Sequence, residues 1–497
     1  MSIHVKPKHP SVLFIVNHDL APQYGCYGGQ AITPHVDELS NGGVRFDNHY
    51  CHWPLCGPSR ANLFTGCRPL TTCRYDNKPF FPGFRNRVGT GFCSLPEYFR
   101  RFGYWTRGAG LIYHDVDDEP SWDVPVWRPP QRNSTATRYG DLPGQLVAEV
   151  NRDWVRDAAY RLIQQRWKSL RDSGLNESSL SDPNVARRAQ GPAVEIAEGD
   201  DNIYYDGSVA TKVAEMIEKA PKDHPFFIAG GFITGHLPFR APKEYWDRYN
   251  RDLLELPAFC EPPAGSPDWV AGDSEPAQYY TTHGYEKPWR ASPEQSRELL
   301  HGHLASMSYI DALIGRLISV LKSADRYDDT IIVVISDHGF HDGEHGYWGK
   351  HNLWDQSLRT PLIMRIPGVV PAVLKGLTAH VDVYPTLCEL CSLPRPVFLE
   401  GESSVHLLRN PAGEGKEAVF SYRKHMWHDR IKAYDLARSV RNSRFRYTEY
   451  LDKSGRPIYR ELFDYENDPE ERLNQITNKS HENVVFHLHA LLRSIEK

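Results

Sequence analysis

Uninterrupted apolar runs alternate with amphipathic stretches along most of the chain. Residues 10–16, 225–233 and 329–336 are apolar runs that predict strands of a parallel sheet covered on both faces. Residues 207–220 have helical periodicity, and so does a second apolar stripe made of Met307, Ile310, Ile314, Leu317 and Leu321. The alternation predicts an α/β fold in which helices sandwich a mostly parallel central sheet.

Cap residues indicate where two shorter helices begin and end. Thr33 is the expected N-cap of a helix that has Pro34 at its first position and Gly42 at its end. A second helix is expected to open with a capping box between Ser94 and Glu97, and to end at Gly103.

The pattern changes along the chain in a way that predicts two units. We expect residues 1–400 to form the α/β domain, with an insertion at about residues 143–200. Residues 401–497 are expected to form a smaller C-terminal α+β subdomain, since residues 422–452 alternate like antiparallel strands and residues 484–496 have a helical pattern.

Two segments break the rhythm of the larger unit. Residues 145–171 predict a long amphipathic helix, and residues 261–293 are rich in Pro, Gly, Ser and aromatic residues. Long irregular loops in compact domains are often functional rims, and a solvated insertion is the alternative for both segments.

Composition and charge narrow the class of protein. The chain has 497 residues, with 63 acidic against 58 basic side chains, so no nucleic-acid or membrane-surface partner is expected. It contains no run of eighteen apolar residues and no signal-peptide pattern, so we expect no membrane span and a cytoplasmic protein. Nine cysteines are too sparse for a disulfide scaffold, and Cys388 and Cys391 are expected to be core thiols rather than metal ligands.

Polar residues that can do chemistry follow two of the predicted strands. His18 and Asp19 come after the first strand, and Asp337 and His338 come after the strand at 329–336. In open α/β sheets, ligands bind beyond the carboxyl ends of the strands, so these four side chains are expected at one edge. Turn formation or helix capping is the ordinary alternative for isolated acidic residues at strand ends.

A cysteine in "HWPLCGPSRANLFTG" adds a third element. Cys56 precedes a predicted helix start at Pro58, where free backbone N–H groups favour an anion. Arg60 adds a guanidinium fork that suits a tetrahedral oxyanion. From these residues alone, Cys56 is either a buried thiol in a turn or part of a reactive site.

These residues resemble the signature of the formylglycine-dependent sulfatases, which belong to the alkaline-phosphatase-like superfamily. The matching positions in residues 56–66 are Cys56, Pro58, Ser59, Arg60, Thr65 and Gly66. Residues 336–339, 343–350, 360–368 and 462–474 also resemble sulfatase motifs, in the same order. Residues 66–77 and 235–245 are most similar to the iduronate-2-sulfatase branch. The resemblance extends over nearly the whole chain.

The resemblance implies a chemistry for each matched residue. A separate formylglycine-generating enzyme would oxidise Cys56 to formylglycine, and a divalent metal ion would be bound by Asp19, Asp337, His338 and the modified Cys56. Ca²⁺ is the expected ion, with Mg²⁺ or Mn²⁺ as alternatives.

The resemblance also assigns roles to residues outside the metal site. By position, His236 would protonate the leaving oxygen and His114 would assist release of sulfate. Lys350 would hold a sulfate oxygen and Arg60 would orient the nucleophile. Taken singly, these histidines and Lys350 are more often structural or solvated side chains.

Two residues depart from the family pattern. His18 stands where most sulfatases have an Asp, so the site is softer than an all-oxygen Ca²⁺ site, and His18 either joins the metal ligands or leaves them. Leu111 occupies the place of a lysine that normally contacts the sulfate. A nearby cation such as Arg107 is one candidate to replace it.

The resemblance predicts an enzyme that cleaves a small sulfate ester, expected to be a sulfated carbohydrate. The alternatives are a formylglycine-dependent hydrolase of phosphonate monoesters or phosphodiesters, and a non-catalytic relative that binds anions or glycans. The sequence indicates no oligomeric state.

Overall fold

A seven-stranded sheet forms the centre of the larger unit in the computed structural model. The structure describes residues 9–78, 80–88, 91–114, 116–129, 165–166, 168–174, 192–280, 289–425 and 434–495. Its strands are β1 (Ser11–Asn17), β2 (Val44–Phe46), β4 (Trp105–Gly110), β6 (Phe226–Gly231), β8 (Thr330–Ser336), β11 (Leu362–Arg365) and β12 (Ala372–Leu374). Across the sheet they lie in the order β12-β2-β11-β8-β1-β6-β4.

The sheet is mostly parallel, as the apolar runs predict. Strand β1 pairs in parallel with β6 on one side and β8 on the other, whereas β11 runs antiparallel to both β8 and β2. Every residue of β1 is buried, and alternate side chains enter two different cores: Leu13 and Ile15 point to one face, Val12 and Phe14 to the other. The sheet is therefore covered on both faces, which confirms the predicted α/β class.

Helices cover both faces of this sheet. Their bounds are Pro34–Asn41, Cys56–Thr65, Pro69–Thr72, Phe81–Val88, Leu95–Arg101, Tyr205–Glu218, Lys243–Trp246, Ala277–Tyr280, Pro293–Ser323, Asp355–Leu358, His380–Leu390 and Val405–Arg409. The predicted apolar stripe lies on Pro293–Ser323 and is fully buried. This helix is apolar enough to span a membrane by composition, with a mean hydropathy of 1.5, but 72% of its most apolar window is buried inside the protein. That burial is typical of a core helix.

Both predicted helices begin directly after the expected cap residue, but neither cap side chain makes the expected hydrogen bond. The first helix begins at Pro34 after Thr33, but the Thr33 side chain makes no cap hydrogen bond. The capping box expected at Ser94 is wrong, because Ser94 Oγ donates to Asp118 instead. A capping box that was not predicted forms at Ser292, at the start of the long helix.

The C-terminal sheet packs against residues 51–55, which lead into the helix that begins at Cys56. Its four antiparallel strands are β14 (Val419–Lys424), β15 (Leu436–Arg441), β16 (Phe445–Leu451) and β17 (Pro457–Asp464), followed by the helix Glu482–Ser494. Trp53 and Leu55 share an apolar cluster with this sheet and helix. The smaller unit thus supports the segment that leads into Cys56.

Further short strands pair in twos outside the large sheet. They are β3 (His49–Tyr50), β5 (Val194–Ala197), β7 (Phe239–Pro242), β9 (His341–Asp342), β10 (Trp348–Gly349) and β13 (Thr378–Ala379). Most of the predicted helix at 145–171 and of the insertion at 143–200 lies outside the described residues. The described part, residues 165–166 and 168–172, is helical. The boundary near residue 400 stays a prediction.

Candidate active site

The carboxyl ends of β1 and β8 bring four polar side chains together. These parallel neighbours pair through Asn17 and Ser336, so the residues that follow each strand emerge side by side. His18 Nδ1 donates to Asp337 Oδ2 at 2.7 Å, and the backbone N–H of Asp19 donates to Asp337 Oδ1 at 3.0 Å. All four side chains, His338 included, are fully buried. The predicted convergence at one sheet edge is therefore what the structure shows.

Local backbone geometry fixes where two of the polar side chains point. Asp19 has φ of 58°, in the left-handed region that non-glycine residues rarely adopt and that asparagine and aspartate tolerate best. At Gly235 the backbone has φ of 113°, and an added Cβ would lie 2.3 Å from the His18 carbonyl oxygen. Glycine at 235 therefore lets the loop carrying His236 approach the end of β1.

Cys56 faces this cluster from the first position of its helix. Its Sγ lies 3.3 Å from His338 Nε2, 3.7 Å from His18 Nε2 and 3.9 Å from Asp19 Oδ1. His338 Nδ1 donates to the Gly339 carbonyl at 2.9 Å, which turns the other ring nitrogen toward the thiol. Cys56 is thus not an isolated thiol in a turn.

Arg60 lies one turn further along the same helix and is 1% exposed. Its Nε donates to Asp337 Oδ2 at 2.9 Å, and its terminal nitrogens donate to the backbone carbonyls of Asn17, Leu111 and Ile112. The guanidinium therefore links the helix to the ends of β1 and β4 and anchors Asp337. The guanidinium fork, predicted to face an oxyanion, instead donates to these protein oxygens.

The pKa of the Asp337 carboxyl is held well below its usual range. Burial alone would raise this pKa, but the charges of His338, His18 and Arg60 outweigh it. Asp337 is therefore a carboxylate at neutral pH. Its Oδ1 also accepts the His338 backbone N–H at 3.0 Å. Asp337 therefore links the end of β1, the Cys56 helix and the turn that follows β8.

Lys350 and His236 lie beside Asp19 Oδ2, whereas Cys56 lies beside Asp19 Oδ1. Lys350 is 2% exposed and its ammonium donates to Asp19 Oδ2, while His236 Nε2 lies 3.7 Å from the same oxygen. The His236 and His18 rings stack with centroids 5.1 Å apart. Burial would lower the pKa of Lys350, but the charges of Asp19 and Glu275 raise it above its usual value, so the side chain is a cation.

His114 and Leu111 both lie close to Arg60. His114 lines a pocket together with Gly57, Arg60 and Tyr113, at the start of the Cys56 helix. Leu111 is buried. Arg107 does not replace the missing lysine, because its guanidinium pairs with Asp123 at 2.9 Å and stacks over the Trp105 ring. The catalytic role of His114 stays a prediction.

The donor set around Cys56 fits a divalent cation. His18, Asp19, Cys56 and Asp337 each offer one ligand atom, and these atoms all lie within 4.8 Å of one another. Two of these ligands are carboxylates, which Mg²⁺, Mn²⁺ and Ca²⁺ prefer to thiolates. A second group, made of Asp19, His236 and Glu275, also lies within 4.8 Å. There, however, the Lys350 ammonium already contacts both carboxylates.

Sequence reasoning missed Glu275 and His351. Glu275 comes from the irregular segment at 261–293, and its Oε1 lies 3.2 Å from His351 Nε2 and 3.3 Å from Lys350 Nζ. Burial and the Lys350 charge hold the pKa of His351 well below its usual value, so its ring is neutral. Neither residue follows a strand of the large sheet, and for Glu275 the only signal was the irregularity of its loop.

Comparisons with known proteins agree with this geometry. The family described as Sulfatase matches residues 10–393, and the C-terminal family of N-sulphoglucosamine sulphohydrolase matches residues 343–497. Iduronate 2-sulfatase of Homo sapiens is 28% identical over 404 residues, which cover 76% of this chain. The chain spans 64% of the length of that relative. Choline-sulfatase of Rhizobium meliloti is 26% identical, with coverage of 90% of this chain and 78% of the relative.

Solved structures share the fold over almost the entire chain. A protein solved in complex with its substrate D-glucosamine-2-N,6-O-disulfate has a TM-score of 0.72 at 19% identity, covering 98% of this chain and 97% of that one. The phosphonate monoester hydrolase of Agrobacterium radiobacter has a TM-score of 0.71 at 19% identity, covering 98% of this chain and 95% of that one. At such identities the likeness establishes the fold alone.

Proposed function

Because the chain belongs to the sulfatase family, we propose that it is a hydrolase that cleaves a sulfate ester. The observation that carries this proposal is the meeting of Cys56 with Asp19, Asp337 and His338 at one buried sheet edge. The net reaction adds water across the sulfate ester, so that an alcohol and inorganic sulfate are released. A cation-binding cage next to a modifiable cysteine suits the attack on a tetrahedral sulfur.

We propose that Cys56 is converted to formylglycine by a formylglycine-generating enzyme, which would be a maturation partner. The hydrated aldehyde would supply a nucleophilic hydroxyl, and a bound divalent cation would supply Lewis-acid polarisation of the sulfate. Asp19, Asp337, His338 and residue 56 would hold that cation, with His18 as an added nitrogen ligand. Ca²⁺ remains the expected ion, and Mg²⁺ or Mn²⁺ the alternatives.

The protein's own side chains provide charge and protons. Lys350 is a buried cation beside Asp19, and we propose that it holds a sulfate oxygen. His236 Nδ1 donates to the Leu237 carbonyl at 2.6 Å, so a proton delivered to a leaving group must come from Nε2, which faces the site. Arg60 acts through Asp337, because its donors contact that carboxylate and backbone oxygens.

We propose a sulfated carbohydrate as the substrate. Support comes from the name of the iduronate 2-sulfatase relative and from the fold neighbour solved with a disulfated glucosamine. One observation favours a second candidate, a formylglycine-dependent hydrolase of phosphonate monoesters or phosphodiesters. Leu111 removes a cation from the place where sulfatases usually hold the anion, and Arg107 does not replace it.

Parallel rate assays test the two candidates. Protein produced together with a formylglycine-generating enzyme is given an aryl sulfate and an aryl phosphonate monoester, and the released phenol and sulfate are measured. A higher kcat/KM on the sulfate, lost in Cys56→Ala, is the expected result. A preference for the phosphonate would favour the second candidate. Equal rates for the wild-type protein and Cys56→Ala on both esters would favour a non-catalytic anion- or glycan-binding relative.

A further inference from the structure

Glu275 is held firmly against the segment that carries Lys350, although it comes from an irregular loop. The backbone N–H of Glu275 donates to the Trp348 carbonyl at 2.9 Å, and the Trp348 N–H donates to Ser274 Oγ at 3.1 Å. Two consecutive loop residues therefore bond to β10. This pairing fixes the distance between the Glu275 carboxylate and the Lys350 ammonium.

The Glu275 carboxylate lies at the outer edge of the site. Its side chain is 12% exposed, whereas Lys350 is 2% exposed and Asp19 is fully buried. Its Oε1 and Oε2 lie 3.3 and 3.4 Å from Lys350 Nζ, and Oε1 lies 3.2 Å from His351 Nε2. Lys350 is thus enclosed by two carboxylates, one on the metal side and one toward solvent.

A second cation between these carboxylates is not what the geometry indicates. Asp19, His236 and Glu275 could enclose an ion by distance alone. The Lys350 ammonium already contacts both carboxylates, and a divalent ion beside it would face a like charge at close range. Glu275 is therefore better explained by its effect on Lys350 than as a metal ligand.

The charges at the site nearly balance. Among the described residues in contact here, Asp19, Asp337 and Glu275 carry three negative charges, against two positive charges on Lys350 and Arg60. Glu275 therefore makes the site one unit less positive than a neutral side chain would, whatever charge the histidines and a bound cation contribute. A sulfate monoester carries one negative charge, and a phosphate monoester above its second pKa carries two. The charge of Glu275 therefore disfavours the phosphate ester more strongly.

We propose that Glu275 is a specificity-determining residue, which lowers the positive charge around Lys350 so that singly charged tetrahedral esters bind in preference to doubly charged ones. This inference rests on the proposed function for the location of the substrate anion. It adds that the protein selects its ester by net charge as well as by shape.

Binding measured without turnover tests this inference. In the Cys56→Ala protein, which cannot mature, the affinities for phenyl sulfate and phenyl phosphate are measured by calorimetry, well above the second phosphate pKa of about 6. Adding Glu275→Gln removes the charge with little change in shape. We expect the ratio of sulfate to phosphate affinity to fall by about tenfold or more, as one unit charge at short range predicts. Glu261→Gln is the matched control, because it removes an exposed carboxylate from the same segment.

The outcomes separate the inference from the function it rests on. An unchanged affinity ratio in Glu275→Gln, or an equal shift in Glu261→Gln, would overturn the role of Glu275, and so would equal weakening of both ligands. Undetectable binding of both esters by the parent protein would also overturn it. A shifted ratio together with no sulfate release by the mature wild-type enzyme would retain the charge selection and reject the proposed hydrolysis.

Discussion

Changing Asp337 to Asn is the sharpest perturbation of the candidate site. The change keeps the size of the side chain and removes its charge. Oδ2 accepts from His18 at 2.7 Å and from Arg60 at 2.9 Å, so an amide N–H₂ in its place would face two donors. Turning the amide instead sets its N–H₂ against the backbone N–H groups of Asp19 and His338. Either orientation leaves buried donors facing each other.

The expected cost follows from burial. Arg60 is 1% exposed and Asp337 fully buried, and removing one partner of such a buried pair costs about 3–5 kcal/mol. We expect Asp337→Asn to lower the free energy of unfolding by about 3 kcal/mol. It should also reduce bound divalent metal, because Asp337 anchors His18 and the backbone of Asp19 and His338.

The assay pairs urea denaturation of chelator-treated protein, followed by tryptophan fluorescence, with metal analysis of the protein as purified. Asp328→Asn is the matched control, since Asp328 is 91% exposed and its ion pair with Arg365 is worth at most about 1 kcal/mol. If Asp337→Asn unfolds like Asp328→Asn and keeps its full metal content, Asp337 is neither a ligand nor an anchor, and the reasoning fails.

Three further predictions follow from the same geometry. His236→Gln should slow esters of poor leaving groups much more than activated phenyl esters, and equal losses on both would remove His236 as the proton donor. Dialysis against a chelator should abolish hydrolysis, and adding a divalent cation should restore it. Full activity in metal-free protein would contradict the proposed cation site. Burial raises the pKa of Glu461 to about 7, so the folded state keeps this proton to higher pH than the unfolded chain does. Unfolding free energy should therefore fall, by up to about 3 kcal/mol, as the pH rises from 4.5 to 7. Glu461→Gln should flatten that fall, and an unchanged pH profile would refute it.

The parts of the site that follow regular elements could be predicted from the sequence. Apolar runs locate β1 and β8, and parallel neighbours end at the same edge, so His18, Asp19, Asp337 and His338 had to meet there. Cys56 could be placed at a helix start from Pro58. The site therefore rests on periodicity and strand direction, which are local properties of the chain.

The remaining features depend on contacts between distant segments. Glu275 reaches Lys350 only because its loop bonds to Trp348, and nothing in the residues near 275 indicates that pairing. Ser94 has the sequence of a capping residue, but Asp118 offers its hydroxyl an acceptor, and that tertiary contact overrides the local motif. Arg60 was expected to face an anion, and the carbonyls that it contacts instead lie at the ends of other strands.

Mass spectrometry of the peptide that contains residue 56 tests the central claim most directly. The protein is taken from its native host, or produced together with a formylglycine-generating enzyme, and the peptide is compared with that of Cys56→Ala. We predict that residue 56 has lost its sulfur and carries an aldehyde oxygen, in the same sample that releases sulfate from an aryl ester. An unmodified thiol at residue 56 in a sample that releases sulfate would contradict the account.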